Sequence, residues 1–350
     1  MKSLIEIPKT MKALVLHEIG KLTLDEVPVE PLRPGTVLVK IKACGICSSD
    51  VERVFINGTY HFPTIPGHEF SGQIVAVGDD VDESLLGRRT CVFPMLPCFE
   101  CPSCKKQQYA QCSHYDYFGS RRDGGYAEYL VVPTWNLVLF DDDLSYDVAA
   151  MCEPAAVGIH ANGLANVQKG QSVLVIGTGM IGYVCAAFAS QITDKVIMCG
   201  NSAAKLELAK KYGWETIALE TDKAELNALT DGEGVDVVME VVGSNQAICN
   251  AVAAAGPNST IVLVGNPKAD LTMEKNLYWK ILRKSITLRG SWNSSYNDKQ
   301  NDWKTALDRL KGGEFDQLIT HRFPMEESEE AFRVMRDRNT FSTKVMFVME

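Results

Sequence analysis

The sequence predicts an α/β protein: a doubly wound, six-stranded parallel sheet with a separate β-rich unit. Three observations lead there. At 350 residues the chain exceeds what one hydrophobic core usually serves, so two domains are expected. The first 150 residues read as short alternating runs, such as "TVLVKIKA", "GQIVAVG" and "AEYLVV", separated by Gly, Pro and Asp, which suggests strands joined by turns. From about residue 170 the texture changes to continuous apolar runs alternating with helix-like segments. That is the pattern of a parallel sheet covered on both faces.

The elements of the second region follow in order. "SVLVIG", "KVIMCG", "ETIAL", "VDVVMEVV", "STIVLVG" and "SITLRGS" are the six candidate strands. "MIGYVCAAFASQI", "SAAKLELAKKYG" and "SNQAICNAVAAAG" are helical connections among them. After about residue 296 an amphipathic segment, "DWKTALDRLKGG", leads to a last strand, "STKVMFVM". The predicted domains are 1–156 with 296–350, and 157–295. No repeat or low-complexity linker is visible.

Bulk properties narrow the function classes. The net charge is −9 with no basic block, which argues against a nucleic-acid surface. No apolar run is long enough to span a bilayer. The N-terminal "MKSLIEIPKTMKALVL" does not read as a signal peptide, so a cytoplasmic location is expected. There thiols stay reduced, and clustered cysteines are expected to hold metal rather than pair as disulfides.

"VLVIGTGMIG" carries Gly177, Gly179 and Gly182 in G-x-G-x-x-G spacing, with Met180 and Ile181 opening the following helix. A strand before and a helix after make this the Rossmann fingerprint. The first Gly permits the turn, the second a close approach of backbone to a pyrophosphate, and the third helix–strand packing. Val264 and Gly265, at the end of the fifth strand, are placed near the nicotinamide. An NAD site usually has a carboxylate at the end of the second strand. Here Gly200, Asn201 and Ser202 follow, with Lys205 close by, a set that would accept a 2′-phosphate. NADP is therefore expected; an NAD enzyme tolerating Gly200 is the alternative.

Two metal sites are expected. Cys98, Cys101, Cys104 and Cys112 on one short loop can close a tetrahedron around Zn²⁺ and leave no open position, which makes a structural site. An iron–sulfur cluster is the rival, but Ser113 rather than Pro follows the last Cys and no second cluster motif appears. Cys47, His68 and a carboxylate, Glu69 or Glu153, would make the open three-ligand set of a catalytic zinc. Cys44, three residues before Cys47, is read as strand packing.

"GICSSD", "PGHEFSG", the four-Cys lobe (about 94–115), "DGGYAEYLVVP", "EPAAVGIHA" and "VLVIGTGMIG" stand in an order and spacing that resemble the zinc-dependent medium-chain dehydrogenases, polyol branch. "LPCFECPSC", "DYFGSRRDGGYAEY" and "KILRKSITLRGSW" most resemble the branch members acting on galactitol 1-phosphate. The resemblance implies a GroES-like catalytic domain holding the zinc lobe and a Rossmann domain. It implies Cys47, His68 and Glu153 as catalytic zinc ligands, with Glu69 an alternate ligand or a supporting group. Asp50 matches the carboxylate that orients the site, and Ser49 the hydroxyl that relays the substrate proton. Glu153 stands where simple-alcohol members carry Cys, which argues for a polyol. Ser48 replaces a usual Gly, and Gly200 departs from a common Asp.

The resulting expectation is hydride transfer between a nicotinamide and a secondary hydroxyl of a polyol phosphate. An unphosphorylated polyol or secondary alcohol is the alternative, and a non-catalytic zinc- and cofactor-binding relative the remote one. Arg121 and Arg122 are candidates to grip the phosphate or, equally, loop arginines pairing with Asp123. Trp292, Tyr60 and His61 are candidate pocket residues, with plain packing as the other reading. The resemblance also implies a homodimer, or a dimer of dimers, formed by the "SITLRGS" strand extending the sheet across a two-fold axis.

Overall fold

The structure is a computed structural model, and it describes residues 2–218, 223–337 and 339–349, excepting the side chains of 223–225. Leu219, the end of "ETIAL", lies outside the described residues. The chain divides into two compact units, Met1–Pro154 with Ser295–Glu350, and Ala155–Ser294.

The first unit is built on an eight-stranded sheet. Its central strand, Thr36–Ile46, pairs antiparallel with Glu69–Val77, Tyr129–Pro133 and the C-terminal strand Lys344–Val348. Alternating Val, Leu and Ile put one face of these strands into a core with Leu14, Leu16, Phe70, Phe332 and Phe347. Helix Ser328–Arg336 supplies Phe332, and its neighbouring strand Ile319–Phe323 runs parallel to Lys344–Val348. Neither was anticipated. "ITHRF" alternates too weakly to mark a strand, and the helix buries only a narrow apolar stripe, with Ala331, Phe332 and Val334 inside.

The second unit is a six-stranded parallel sheet. Numbered along the chain, its strands are Val173–Ile176, Val196–Gly200, Glu215–Ala218, Val235–Glu240, Ala255–Leu263 and Thr287–Gly290, in the order 3-2-1-4-5-6. Every pairing is parallel. This is the doubly wound order whose chain reversal beside strand 1 makes a crevice at the strands' carboxyl ends. Helices Lys223–Leu229 and Lys275–Arg283 were not anticipated; the second leaves Tyr278, Trp279 and Leu282 exposed. No described helix is long and apolar enough to cross a membrane.

Candidate active site

The first site lies where the central strand ends. Cys47 follows Ile46 in extended conformation and caps the short helix Ser48–Glu52. Asp50, in that helix, is fully buried and gathers its surroundings. Its carboxylate accepts from the Cys47 N–H (3.2 Å), the Tyr126 hydroxyl (3.0 Å) and Arg53 Nη1 (2.8 Å). His68 Nδ1 stands 3.3 Å from it, which leaves Nε2 available to a metal. Burial disfavours charge on both partners. Their mutual attraction outweighs that, holding Asp50 well below the usual carboxylate range and His68 well above the usual imidazole range.

His68 is placed by Gly67, whose φ of +94° suits glycine. A Cβ there would also meet Tyr126 at 2.5 Å and Cys44 Sγ at 3.0 Å. Cys44 is thus strand packing, buried in the core. Glu69 opens the next strand and pairs across it with Gly45, whose missing side chain leaves room for the Glu69 carboxylate. Lys344 Nζ, from the last strand, lies 2.5 Å from Glu69 Oε2.

The ligand atoms of Cys47, His68 and Glu69 all lie within 4.8 Å of one another. Glu153 stands outside that set. It sits in the first turn of helix Cys152–Ala165, and its Oε1 accepts from the Tyr117 hydroxyl at 3.3 Å. The Tyr117 ring lies 5.8 Å from that of His68. Burial pushes Glu153 up to about 7, with His68 and Lys344 pulling it back and Glu69 adding to the rise. A thiol, an imidazole and a carboxylate converging this closely form a donor set that suits zinc.

The second cluster is Cys98, Cys101, Cys104 and Cys112, again with all ligand atoms within 4.8 Å. Three of its sulfur–sulfur separations are 3.5, 3.9 and 4.0 Å. The edge of a tetrahedron with metal–sulfur bonds of about 2.3 Å is roughly 3.8 Å, so the spacing fits one zinc. Backbone N–H groups of Cys104 and Ser113 pull the Cys101 thiol down to about 5, while burial pushes Cys104 up to about 12.

In the second unit, Gly177 turns at φ +123°, and a Cβ there would meet Val241 and Val242 at 2.7 and 2.9 Å. A Cβ on Gly182 would strike the Gly177 carbonyl, so this helix can approach its strand only without a side chain. A Cβ on Gly179 would meet nothing within 4 Å. Open space over that backbone, at the N-terminus of helix Met180–Ala189, can receive a pyrophosphate. Gly200 faces Thr178, whose Cγ2 would be 2.5 Å from an added Cβ. Asn201 is exposed, Ser202 caps the next helix, and burial lowers the pKa of Lys205. Gly265 packs against Gly243 beyond the end of the fifth strand, next to Val264.

The candidate substrate residues separate. Arg122 lies 3.4 Å from Asp116, not Asp123, whose carboxylate instead accepts from the Ile65 N–H. Arg121 stacks between Tyr60 and Tyr115, 4.1 and 4.5 Å from the ring centroids, and its carbonyl oxygen lies 3.1 Å from His61 Nε2. Trp292 is 52% exposed. Lys344, Arg53, Tyr117 and Tyr126 escaped the sequence reading. Only Arg53 left a signal, being four residues from Ser49 and so on its face of a helical turn.

These two units carry the sequence marks of a known class. Residues 33–142 match the family described as alcohol dehydrogenase GroES-like domain, and residues 177–312 the zinc-binding dehydrogenase family. The chain belongs to the zinc-binding, GroES-like medium-chain dehydrogenases, and it is an NAD(P)-dependent alcohol or polyol dehydrogenase. It is 36% identical to galactitol 1-phosphate 5-dehydrogenase of Escherichia coli K12, over 97% of this chain and 100% of that one. It is 32% identical to D-arabitol-phosphate dehydrogenase of Enterococcus avium, over 96% and 97%. The crystal structure of galactitol-1-phosphate dehydrogenase from Escherichia coli superposes with a TM-score of 0.89, covering 97% of this chain and 100% of that one.

Proposed function

We propose that the protein oxidises a secondary hydroxyl of a polyol phosphate resembling galactitol 1-phosphate, with NADP preferred. The observation that carries the polyol part is the buried Glu153 carboxylate, joined through the Tyr117 hydroxyl to the surroundings of His68, where the family's simple-alcohol members have a thiol. Two full-length relatives whose names specify polyol phosphates support it.

In this reading unit 1 is the catalytic domain and unit 2 the cofactor domain, with two zinc ions per chain. Cys47 and His68 would hold the catalytic zinc with a carboxylate, Glu153 as the family resemblance implies or Glu69 as the ligand-atom distances favour, and the four-cysteine loop would hold a structural one. A bound zinc would lower the pKa of the substrate hydroxyl, and a bound nicotinamide would accept the hydride. The chain's own groups do the rest. Asp50 fixes the imidazole of His68 through Nδ1. Ser49 Oγ receives the proton leaving the substrate hydroxyl and passes it outward. Lys344 pairs with Glu69, whose ligand atom lies among those of Cys47 and His68. Gly177, Gly179 and Gly182 seat the pyrophosphate at Met180 and Ile181. Asn201, Ser202 and Lys205 would surround the ribose of a bound cofactor, and none of the three is a carboxylate that would repel a 2′-phosphate. The cysteines, all free, suit a reducing compartment such as the cytosol.

An unphosphorylated polyol is the second reading. It is favoured by the Arg122–Asp116 ion pair, which occupies one of the two arginines considered for a phosphate. Cofactor reduction at 340 nm with galactitol 1-phosphate, arabitol phosphates, sorbitol and 2-propanol, each with NADP and NAD, decides between them. Preference for sorbitol would replace the first reading with the second. Strong preference for NAD would overturn the cofactor assignment.

A further inference from the structure

Arg53 brings a positive charge into the metal site that neither the motif nor the proposed mechanism requires. It opens a π-helical turn, in which the Gly58 N–H donates to the Arg53 carbonyl at 3.1 Å, and such turns are frequent at functional sites. The side chain reaches back along the helix before it, to the residues three and four positions earlier. Nη1 donates to Ser49 Oγ at 2.9 Å and to Asp50 Oδ1 at 2.8 Å. Through Ser49 and Asp50 the cation stands at the edge of the cluster described above. Its side chain is 22% exposed, against 0% for Asp50.

A guanidinium has five N–H groups in a rigid fork. With Nη1 engaged, Nη2 and Nε have no hydrogen-bond partner among the described residues, and neither is sealed inside protein. The fork is held by one edge and presents the other.

We propose that Arg53 contacts the substrate, its outer edge of Nη2 and Nε taking a hydroxyl or phosphate oxygen that the substrate carries beside the carbinol under oxidation. The assignment rests on the polyol reading and adds a specificity residue to it. One planar group then ties the relay hydroxyl of Ser49 and a neighbouring substrate oxygen into a single geometry. A site built to hydrogen-bond a substrate oxygen rejects an analogue lacking it, because its own donors are left unpaired. Oxygen-rich substrates are thereby selected over simple alcohols.

The test compares zinc-loaded wild type, Arg53→Met and Arg53→Lys with galactitol 1-phosphate and with sorbitol. Zinc content and melting temperature report whether each variant keeps its fold. Arg53→Met should raise KM for the better substrate roughly 10- to 100-fold, the range for losing a charge-assisted hydrogen bond. Arg53→Lys, which restores a donor, should recover part of that. A loss confined to galactitol 1-phosphate identifies the phosphate as the partner, and an equal loss with sorbitol identifies a hydroxyl. A fall in kcat with KM unchanged would overturn the proposal, since Arg53 would then act only by holding Ser49 and Asp50; so would no change at all. If the wild type turned over neither substrate, the proposed function would fail and this assignment with it.

Discussion

Lys344 and Glu69 form an ion pair 2.5 Å across, at 4% and 1% exposure. Removing one partner of a buried pair strands the other charge. Lys344→Met should therefore cost about 3–5 kcal/mol in denaturant unfolding, and Lys344→Arg much less. Equal stability of Lys344→Met and wild type would show that Glu69 finds another cation or takes up a proton. Gly200 is the second such position. An aspartate there must displace Thr178, whose methyl and hydroxyl would lie 2.5 and 2.9 Å from its Cβ. Gly200→Asp alone should weaken NADP binding without gaining NAD, and Gly200→Asp with Thr178→Ala should gain it, as read by cofactor fluorescence titration. Glu153 gives a pH dependence. Its folded-state pKa of about 7 lies above the ordinary 4.5, so the folded chain holds an extra proton between those values. Stability of the zinc-free protein should fall as pH rises from about 4.5 to about 7 and level off above. Glu153→Gln should flatten that part of the curve, measured by urea midpoints; an unchanged slope would assign it to other groups.

The loop 98–112 and the Cys47–His68–Glu69 cluster are elements of different design. The loop draws four ligands from fifteen consecutive residues, so it closes around metal by itself. Cys101→Ser should lose one zinc per chain and lower the melting temperature by roughly 5–10 °C, the scale of a few kcal/mol in a domain of this size, with turnover kept at low temperature. Cys47→Ser should lose the other zinc and all turnover with little change in melting temperature. Zinc analysis of both variants, alongside activity, distinguishes these outcomes. The two clusters differed in how readable they were. Four cysteines in one loop have fixed neighbours whatever the fold does. Cys47 and His68 meet because strands Thr36–Ile46 and Glu69–Val77 pair in a register that places Gly45 against Glu69.

At the scale of the molecule, strand Thr287–Gly290 forms one edge of the parallel sheet, and all four of its residues are exposed. Leu288 is 45% exposed there, near Trp292 at 52%. An unprotected edge bearing apolar groups invites another strand. The expected partner is a second copy of this chain, as proposed from the sequence. Light scattering after gel filtration should give a dimer, and Leu288→Pro, which removes an edge N–H, should shift it towards monomer. A monomeric wild type would sink this expectation.

The doubly wound sheet was legible because its inner strands are buried on both faces and read as unbroken apolar runs; the two edge strands, Glu215–Ala218 and Thr287–Gly290, are mostly exposed, and all six appear where the sequence placed them. Glycine spacing likewise marked its turn, since Gly177 and Gly182 answer to local backbone geometry. The four-cysteine clip was legible for the same local reason. Other features depended on residues distant in the chain. Lys344 reaches Glu69 across 275 positions, and Tyr126 reaches Asp50 across 76. Which carboxylate faces the Cys47–His68 pair, which arginine is already neutralised, and which guanidinium edge stays open follow from where separate strands bring those groups. Local spacing dictates what a short segment can do alone; charge pairing between segments exists only once the sheet has assembled them.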